Sequence, residues 1–248
     1  MDAFARGLHV IRTFSRDRER QTLSEVAGHA GISRASARRL LHTLVQLNYA
    51  QCDGRYFSLK PKVLDLGYAY VSSMEFGDLV IDSMHELASR MNSSCSISVL
   101  EGHDVVYVAR TTVRRLVRRA IPVGSRCPAH VLSMGRVQLA ALSDEALDHF
   151  LATADIERYT PYTVVDRAEL RRAIRGDGEK GWSLVKRELD EGVCAVGMPI
   201  RNKSGDVIAG LGFGLPPDRA DDPAFIEESL AELAKTADTI DGLMQLRG

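Results

Sequence analysis

Several features that define whole classes of protein are scarce or absent in this sequence of 248 residues. The four cysteines, Cys52, Cys95, Cys127 and Cys194, lie far apart and form no Cys-x-x-Cys pair, so we expect neither a disulfide framework nor a four-thiolate zinc site. No stretch approaches the roughly 18 apolar residues that a membrane span needs. The N-terminal stretch lacks the apolar core and cleavage site of a signal peptide, and we therefore expect a cytoplasmic protein that binds no membrane.

Catalytic motifs are also missing. There is no Gly-x-Gly-x-x-Gly sequence and no P-loop, and Ser133 lacks the Gly-x-Ser-x-Gly context of a hydrolase nucleophile. Cys127 and His130 are three residues apart, which suggests a metal ligand pair or an activated thiol, but zinc needs three or four ligands and no other pair has ligand spacing. The acidic residues within 188–191 fall in a predicted loop, where solvation explains them. We expect no enzyme, no cofactor and no metal.

Charge is distributed unevenly along the chain. Residues 1–60 carry ten Lys or Arg against five Asp or Glu, a net charge of +5, whereas the remaining residues sum to −6. A basic segment joined to a larger acidic body is typical of a nucleic-acid-binding module. A solvated surface could produce the same imbalance, so the argument depends on the pattern within those residues.

That segment predicts three helices followed by a hairpin. The signals are, in chain order, an apolar stripe over residues 3–15, an N-cap at Thr22 or Ser24, a break at Gly31, a cap at Ser33 with a helix to about Asn48, and a turn at Asp53-Gly54. Helix, helix, Gly-containing turn, helix and hairpin is the order of a winged helix-turn-helix.

The third predicted helix has the composition of a DNA-recognition helix. Its first turns interleave small residues with arginines and contain no acid, so the backbone can approach the floor of the major groove. Arg34 and Arg38 share one face and can reach guanine edges or phosphates, while Arg39 is better placed for phosphate. The residues predicted to contact DNA are Ser33, Arg34, Ser36, Arg38, Arg39 and, in the hairpin, Arg55.

These residues resemble the DNA-binding domain of the IclR family of bacterial transcription regulators. The matching positions are Ala27, Gly31, Ile32, Arg39, Leu40, Leu41, Leu44, Tyr56, Leu59, Leu66 and Gly67. Residues 124–142 and 188–213 are similar to two diagnostic stretches of the family's effector-binding domain. Residues 122–126 with 133–136 are most similar to regulators of aromatic-acid catabolism in the beta-ketoadipate pathway.

Beyond residue 60 the pattern changes to a linker helix and then short alternating strands among helices, an α+β arrangement. Together with the resemblance it predicts a fold class: an N-terminal winged helix-turn-helix domain (1–60), a linker helix (61–77) and a C-terminal antiparallel-sheet, GAF-like effector-binding and oligomerisation domain (78–248). Strands are expected over 95–101, 105–110 and 116–123, and a helix over about 129–142.

The resemblance also implies an effector pocket between the sheet and the helix that follows the Val-Gly-x-x-x-Pro loop. The positions carried over are Leu116, Arg119, Ser133, Met134, Ala195, Gly212 and Gly214. Family members that sense small oxoacids place an Asp, a Cys and two Ser where this chain has Val185, Ala195, Gly212 and Gly214. A larger and less polar cavity is therefore expected, which favours an aromatic effector over glyoxylate or pyruvate.

An aromatic acid needs a partner for its carboxylate. Arg126 is predicted beside a helix N-terminus and could form a bidentate pair; Arg119 competes for the role, and the alternative for Arg126 is a surface-loop position. His130 could donate to the ligand or simply pack. The arginines between Arg110 and Arg119 are expected on an exposed sheet face or subunit contact rather than at a second nucleic-acid site.

The function expected is a transcription factor that binds double-stranded operator DNA as a homodimer, paired into a tetramer, and responds to a small organic acid. The alternative is a small-molecule sensor or hydrolytic domain whose basic head contacts a protein partner. Salt-sensitive binding to its own upstream DNA distinguishes the two.

Overall fold

The computed structural model describes residues 3–73, 78–111 and 121–246. The chain divides into two compact units that part after Ser73. Each unit has a hydrophobic core of its own.

The N-terminal unit is a winged helix-turn-helix, as the order of signals predicted. Its elements are α1 (Ala3–Arg12), β1 (Gln21–Thr22), α2 (Leu23–His29), α3 (Arg34–Gln46), β2 (Ala50–Cys52), β3 (Tyr56–Leu59) and α4 (Leu64–Ser73). The strands pair antiparallel in the order β1-β3-β2. The buried residues Val10, Val26, Leu41 and Phe57 join the helices to this small sheet.

Local capping sets the ends of the helices in this unit. Thr22 caps α2 in a capping box, because its hydroxyl accepts from the Glu25 amide and the Glu25 carboxylate accepts from the Thr22 amide at 2.7 Å. Asn48 follows the end of α3 with φ +67°, the left-handed conformation that ends helices and that asparagine tolerates. The start of α2 and the end of α3 are therefore each fixed by residues close to them in the chain.

The C-terminal unit is built on an antiparallel sheet. Its elements are α5 (Asp78–Met91), β4 (Cys95–Glu101), β5 (Asp104–Thr111), β6 (Arg126–Pro128), α6 (Ser133–Ala140), α7 (Asp144–Thr153), α8 (Arg167–Lys180), β7 (Ser183–Lys186), β8 (Cys194–Arg201), β9 (Val207–Leu215) and α9 (Pro223–Leu246). Within the described residues the strand order is β6-β5-β4-β9-β8-β7.

Helices cover both faces of this sheet. On one face α5 and α9 pack through Met84, Leu87, Leu233 and Ile240. On the other face α6 lies directly against the strands, with α7 and α8 outside it. A cavity forms beside the N-terminal end of α6.

Three local predictions differ from the structure. The helix expected over 129–142 is a 3-10 turn at Ala129–Val131 followed by α6, because Leu132 is extended at φ −125°. The loop expected before it contains β6, whose Cys127 pairs with Val105 of β5. Most of the strand expected over 116–123 lies outside the described residues, and its described part, 121–123, is not a strand.

Candidate functional site

The first turn of α3 presents a capped, positively charged end. The Ser33 hydroxyl accepts from the Ser36 amide at 3.2 Å, and the two serine hydroxyls lie 3.1 Å apart. Arg34, Arg38 and Arg39 are exposed, and none of them forms an ion pair with an acid of the described residues. Their guanidinium groups are therefore available to phosphates and base edges.

The turn between β2 and β3 forms the wing and is held rigid by Asp53. Its carboxylate accepts from the amides of Arg55 and Tyr56 at 3.2 and 2.8 Å and pairs with Arg20. Those two amides lower the pKa of Asp53, with Arg20 adding to the effect. The Arg55 guanidinium lies 5.2 Å from the Tyr56 ring centroid, and Arg55 is exposed at the wing.

A cavity of about 290 Å³ lies on the α6 side of the C-terminal sheet. Apolar side chains from the strands, α6 and the loops above them form most of its wall, and its polar groups come from serines, Tyr107 and Arg110. The lining residues are Ser93, Ser94, Ser96, Tyr107, Arg110, Ile121, Leu132, Ser133, Met134, Leu189, Val193, Ala195, Gly212, Phe213 and Gly214. Ser133, Met134, Ala195, Gly212 and Gly214, which the resemblance carried over, all come together there.

The glycines at this site do two different things. A Cβ on Gly212 would lie 2.8 Å from Met134 Cγ and 2.6 Å from the Val196 carbonyl oxygen, so α6 already fills that space. The expectation that Gly212 enlarges the cavity is therefore wrong; its small size lets α6 approach the sheet. A Cβ on Gly214 would meet nothing closer than 3.7 Å, so this position does leave room.

Arg126 and His130 lie outside this cavity, contrary to the sequence prediction. Arg126 donates to the Glu101 carboxylate at 2.5 Å and to that of Asp104 at 3.1 Å, across the edge of the sheet. These bonds also raise the pKa of Arg126. With its donors occupied and its side chain exposed, Arg126 is a surface residue of β6 rather than a wall of the cavity.

His130 is a buried packing residue. It is 1% exposed, and its Nε2 has no hydrogen-bond partner within the described part of the chain. Burial, with a smaller effect from Arg136, lowers the pKa of His130 to about 4, so the imidazole is neutral at pH 7. Val185 is likewise buried, in β7, and does not line the cavity although it pairs with Ala195, which does. Leu116 and Arg119 lie outside the described residues.

A β-bulge aims Tyr107 and Arg110 at the same cavity. Side chains three residues apart point to opposite faces of a regular strand. In β5 the pairing with β4 shifts between Ile97 and Ser98, which leaves Val108 without a partner and returns Arg110 to the face of Tyr107. Arg110 then lies directly across from Ser96, and its Nη1 is 3.4 Å from the Ser96 hydroxyl.

A buried ion pair anchors the cavity wall. Arg136 of α6 donates to the Glu188 carboxylate at 2.7 Å and to the His130 carbonyl at 2.8 Å, and both side chains of the pair are less than a tenth exposed. The Glu188 carboxylate also accepts from the Val164 amide at 3.2 Å. Leu189, the next residue, lines the cavity, so the pair fixes this loop against α6.

Family models match both units of the chain. The model described as the IclR helix-turn-helix domain matches residues 3–54, and the model described as the bacterial transcriptional regulator IclR C-terminal domain matches residues 68–242.

This chain belongs to the IclR family.

Individual relatives agree with that assignment. The chain is 39% identical over 212 residues to the Pca regulon regulatory protein of Pseudomonas putida, covering 85% of this chain and 73% of the relative. It is 31% identical to the p-hydroxybenzoate hydroxylase transcriptional activator of Acinetobacter baylyi, covering 97% and 90%. The crystal structure of a transcriptional regulator from Rhodococcus sp. RHA1 superposes over the full length of both chains with a TM-score of 0.90 and 38% identity.

The family assignment decides between the two functions left open above. IclR proteins are DNA-binding transcriptional regulators, so the basic N-terminal unit of this IclR protein is a DNA-binding module and its activity is regulation rather than catalysis. No group of three potential metal-ligating side chains occurs among the described residues. None of the described helices is both long and apolar enough to span a membrane.

Sequence reasoning missed Tyr107 and Arg110 in this IclR-family regulator. The sequence groups Arg110 with the arginines that follow it and predicts an exposed sheet face or subunit contact for all of them. Strict alternation along residues 105–110 would separate the two side chains, and only the bulge at Val108 brings them together. The bulge has only a weak signal in the sequence, because Val108 and Ala109 continue an apolar run that is typical of an ordinary strand.

Proposed function

We propose that this IclR-family regulator binds a two-fold-related operator as a homodimer that pairs into a tetramer, and that a small aromatic carboxylate held in the cavity controls its occupancy. The genes it regulates are those of aromatic-acid catabolism. The observation that carries the effector class is the mostly apolar cavity of about 290 Å³ beside α6, near the lower end of the size range of small-molecule sites.

The operator contacts proposed are those of α3 and the wing. Arg34 and Arg38 read guanine edges in the major groove, while Ser33, Ser36 and Arg39 contact phosphates and Arg55 follows the backbone beside it. The exposure of the arginines and their lack of acidic partners in the described part of the chain support this assignment. Two recognition helices in one dimer require half-sites about 34 Å apart, or a multiple of it.

The effector class also draws on the relatives. The name of one similar protein refers to p-hydroxybenzoate hydroxylase, and p-hydroxybenzoate is an aromatic acid. A ligand can shift operator occupancy only if it binds one dimer geometry better than another. The wall of the cavity includes α6 and the loop that the Arg136–Glu188 pair holds, and these are the elements that a bound ligand would contact.

The experiment is fluorescence anisotropy of the full chain on DNA from upstream of its own gene. A salt series is run with and without protocatechuate, 4-hydroxybenzoate and beta-ketoadipate. Sequence-preferring binding that protocatechuate or 4-hydroxybenzoate shifts is the expected result, whereas a shift by the non-aromatic dicarboxylate beta-ketoadipate alone would contradict the aromatic effector class. Preferential binding that no acid shifts would refute the effector class while leaving the operator contacts intact.

Three arginine variants and a control test the operator contacts. Arg34→Ala and Arg38→Ala should each weaken specific binding by about 1–3 kcal/mol and relax sequence preference. Arg39→Ala should lower the salt slope by about one for each phosphate that the protein no longer neutralises. Arg172→Ala, which removes an exposed arginine of α8, should change neither quantity. Unchanged affinity and preference in both Arg34→Ala and Arg38→Ala would refute the assignment of α3.

Light scattering of the purified chain measures the oligomeric state.

A further inference from the structure

We infer that Arg110 binds the effector's carboxylate, with the Ser96 hydroxyl beside it, so that the cavity selects monocyclic aromatic acids over their neutral analogues. This inference rests on the proposed function, since it assumes that the cavity is the effector site. It names the residue that recognises the acid and so predicts the specificity of the site.

The first observation is that Arg110 lacks a counterion. Within the described residues of the C-terminal unit, the arginines that are buried or half-buried are Arg110, Arg136, Arg171, Arg175 and Arg187. The other four each have a carboxylate oxygen within 4.0 Å, supplied by Glu188, Asp144, Asp148 or Asp221. Arg110 has none among the described residues. A partly buried cation without an anion is costly, which favours an anion supplied from outside the chain.

The second observation is that the donors of Arg110 are nearly unused. Its Nε is buried without a hydrogen-bond partner in the described part of the chain. Its Nη1 makes one long contact, 3.4 Å, to the Ser96 hydroxyl. A guanidinium can give two parallel hydrogen bonds to one carboxylate, an arrangement that adds both energy and geometric specificity. The unused donors of Arg110 and the open cavity beside them leave room for a carboxylate in that arrangement.

The third observation is where the charge lies relative to the apolar wall. Arg110 and Ser96 are cross-strand partners on the cavity face of β5 and β4. Most of the remaining wall is apolar and includes Leu132, Leu189 and Val193. A ligand with one anionic group and an apolar ring can place its charge at Arg110 and its ring against the apolar side chains. A dicarboxylate would have to place its second charge against those apolar side chains.

Other candidates for the carboxylate are weaker. Arg126 is occupied by Glu101 and Asp104 and lies outside the cavity. Ser93 already donates to the Gly214 carbonyl at 2.6 Å. Arg119, the competing sequence-based choice, is tested directly by substitution.

The test is isothermal titration calorimetry on the full chain with matched acids and amides. The probes are 4-hydroxybenzoate against 4-hydroxybenzamide, and protocatechuate against 3,4-dihydroxybenzamide, which replace the carboxylate by a neutral group of similar shape. Arg110→Gln should lower affinity for the acid at least tenfold, on the order of a hundredfold, while changing amide affinity much less. Arg110→Lys keeps the charge but not the paired donors and should fall between. Arg172→Gln is the control for loss of an exposed arginine, and circular dichroism checks that each variant is folded.

Each outcome distinguishes the inference from the function on which it rests. If the wild-type chain binds neither acid, the proposed effector class is wrong and the inference falls with it. If wild type binds an acid and the folded Arg110→Gln variant retains the preference for acid over amide, the inference alone is wrong. Loss of that preference in Arg119→Gln or Arg126→Gln, but not in Arg110→Gln, would move the anchor to that residue.

Discussion

Replacing one member of the buried Arg136–Glu188 pair should destabilise the C-terminal unit far more than replacing both. Each side chain is less than a tenth exposed, and their charged atoms lie 2.7 Å apart. In Glu188→Leu the guanidinium of Arg136 keeps its charge in a buried position and retains only the His130 carbonyl as acceptor. We expect a loss of about 3–5 kcal/mol, the cost typical of breaking such a pair. The double variant Arg136→Met, Glu188→Leu replaces the pair with apolar groups and should lose far less than the two single losses combined.

The two single variants should also differ in their pH dependence. Burial raises the pKa of Glu188 and Arg136 opposes that effect, so in Arg136→Met the folded-state pKa rises further above the unfolded value near 4.5. A carboxyl group with a raised folded-state pKa destabilises the folded state as pH increases from the unfolded pKa to the folded one. The loss in Arg136→Met should therefore grow above about pH 4.5, by up to about 1.4 kcal/mol per pH unit. Removing Arg136 also raises the lowered folded-state pKa of His130, which reduces the destabilisation that His130 causes at low pH. This effect, too, makes the loss in Arg136→Met larger at higher pH. Glu188→Leu removes the carboxyl group that has the raised pKa and leaves an arginine that stays charged, so its loss relative to wild type should shrink, not grow, as pH increases above about 4.5.

Urea unfolding followed by tryptophan fluorescence measures both effects. Trp182 is the chain's one tryptophan and lies between α8 and β7, so its signal reports on the C-terminal unit. The three variants and wild type, measured from pH 5 to 8, complete a double-mutant cycle. Single losses below about 1 kcal/mol, or a double variant equal to the sum of the singles, would refute the reasoning about the pair.

Three further predictions concern other parts of the molecule. Gly210→Ala should destabilise the C-terminal unit by about 1–3 kcal/mol in urea, because its Cβ would lie 2.5 Å from the Met134 carbonyl oxygen, whereas Gly214→Ala should be nearly neutral and should reduce effector affinity in calorimetry. His130 should contribute a loss of up to about 3 kcal/mol of wild-type stability from pH 6.5 to about 4, because it has a lowered folded-state pKa and the unfolded chain takes up the proton first. His130→Leu should therefore lose less stability than wild type over that pH range. Thr22→Ala should remove the capping box and cost α2 about 1 kcal/mol, seen as faster amide hydrogen exchange in that helix. The prediction for Thr22→Ala is wrong if amide exchange in α2 is as slow as in wild type. The prediction for His130→Leu is wrong if this variant loses as much stability as wild type towards pH 4, and that for Gly210→Ala is wrong if the variant is as stable as wild type.

Much of the N-terminal unit could be predicted because its signals are local. The hydroxyl at Ser33, the turn at Asp53-Gly54 and the apolar residues of α3 each act within a few positions of themselves. The helix predicted over 129–142 is confirmed as α6, Ser133–Ala140, but its predicted start is wrong for a related reason. Its composition favours helix throughout, but Leu132 is extended where α6 packs on the sheet, and that packing involves strands far along the chain.

The effector site was only partly predictable. The resemblance brought Ser133, Met134, Ala195, Gly212 and Gly214 to the right region, since motif positions carry over with the fold. It could not show that Met134 occupies the space beside Gly212, or that Arg126 turns towards Glu101 and Asp104. Both depend on which side chains meet across strands.

By itself the sequence determined the class of protein, because caps, turns, apolar periodicity and a basic recognition helix are properties of neighbouring residues. Only the tertiary structure decided which cation faces the cavity. Alternation along β5 separates Tyr107 from Arg110, and the unpaired Val108 reverses it. A bulge arises from the register between two strands, so it is an interaction between distant segments that no single segment specifies.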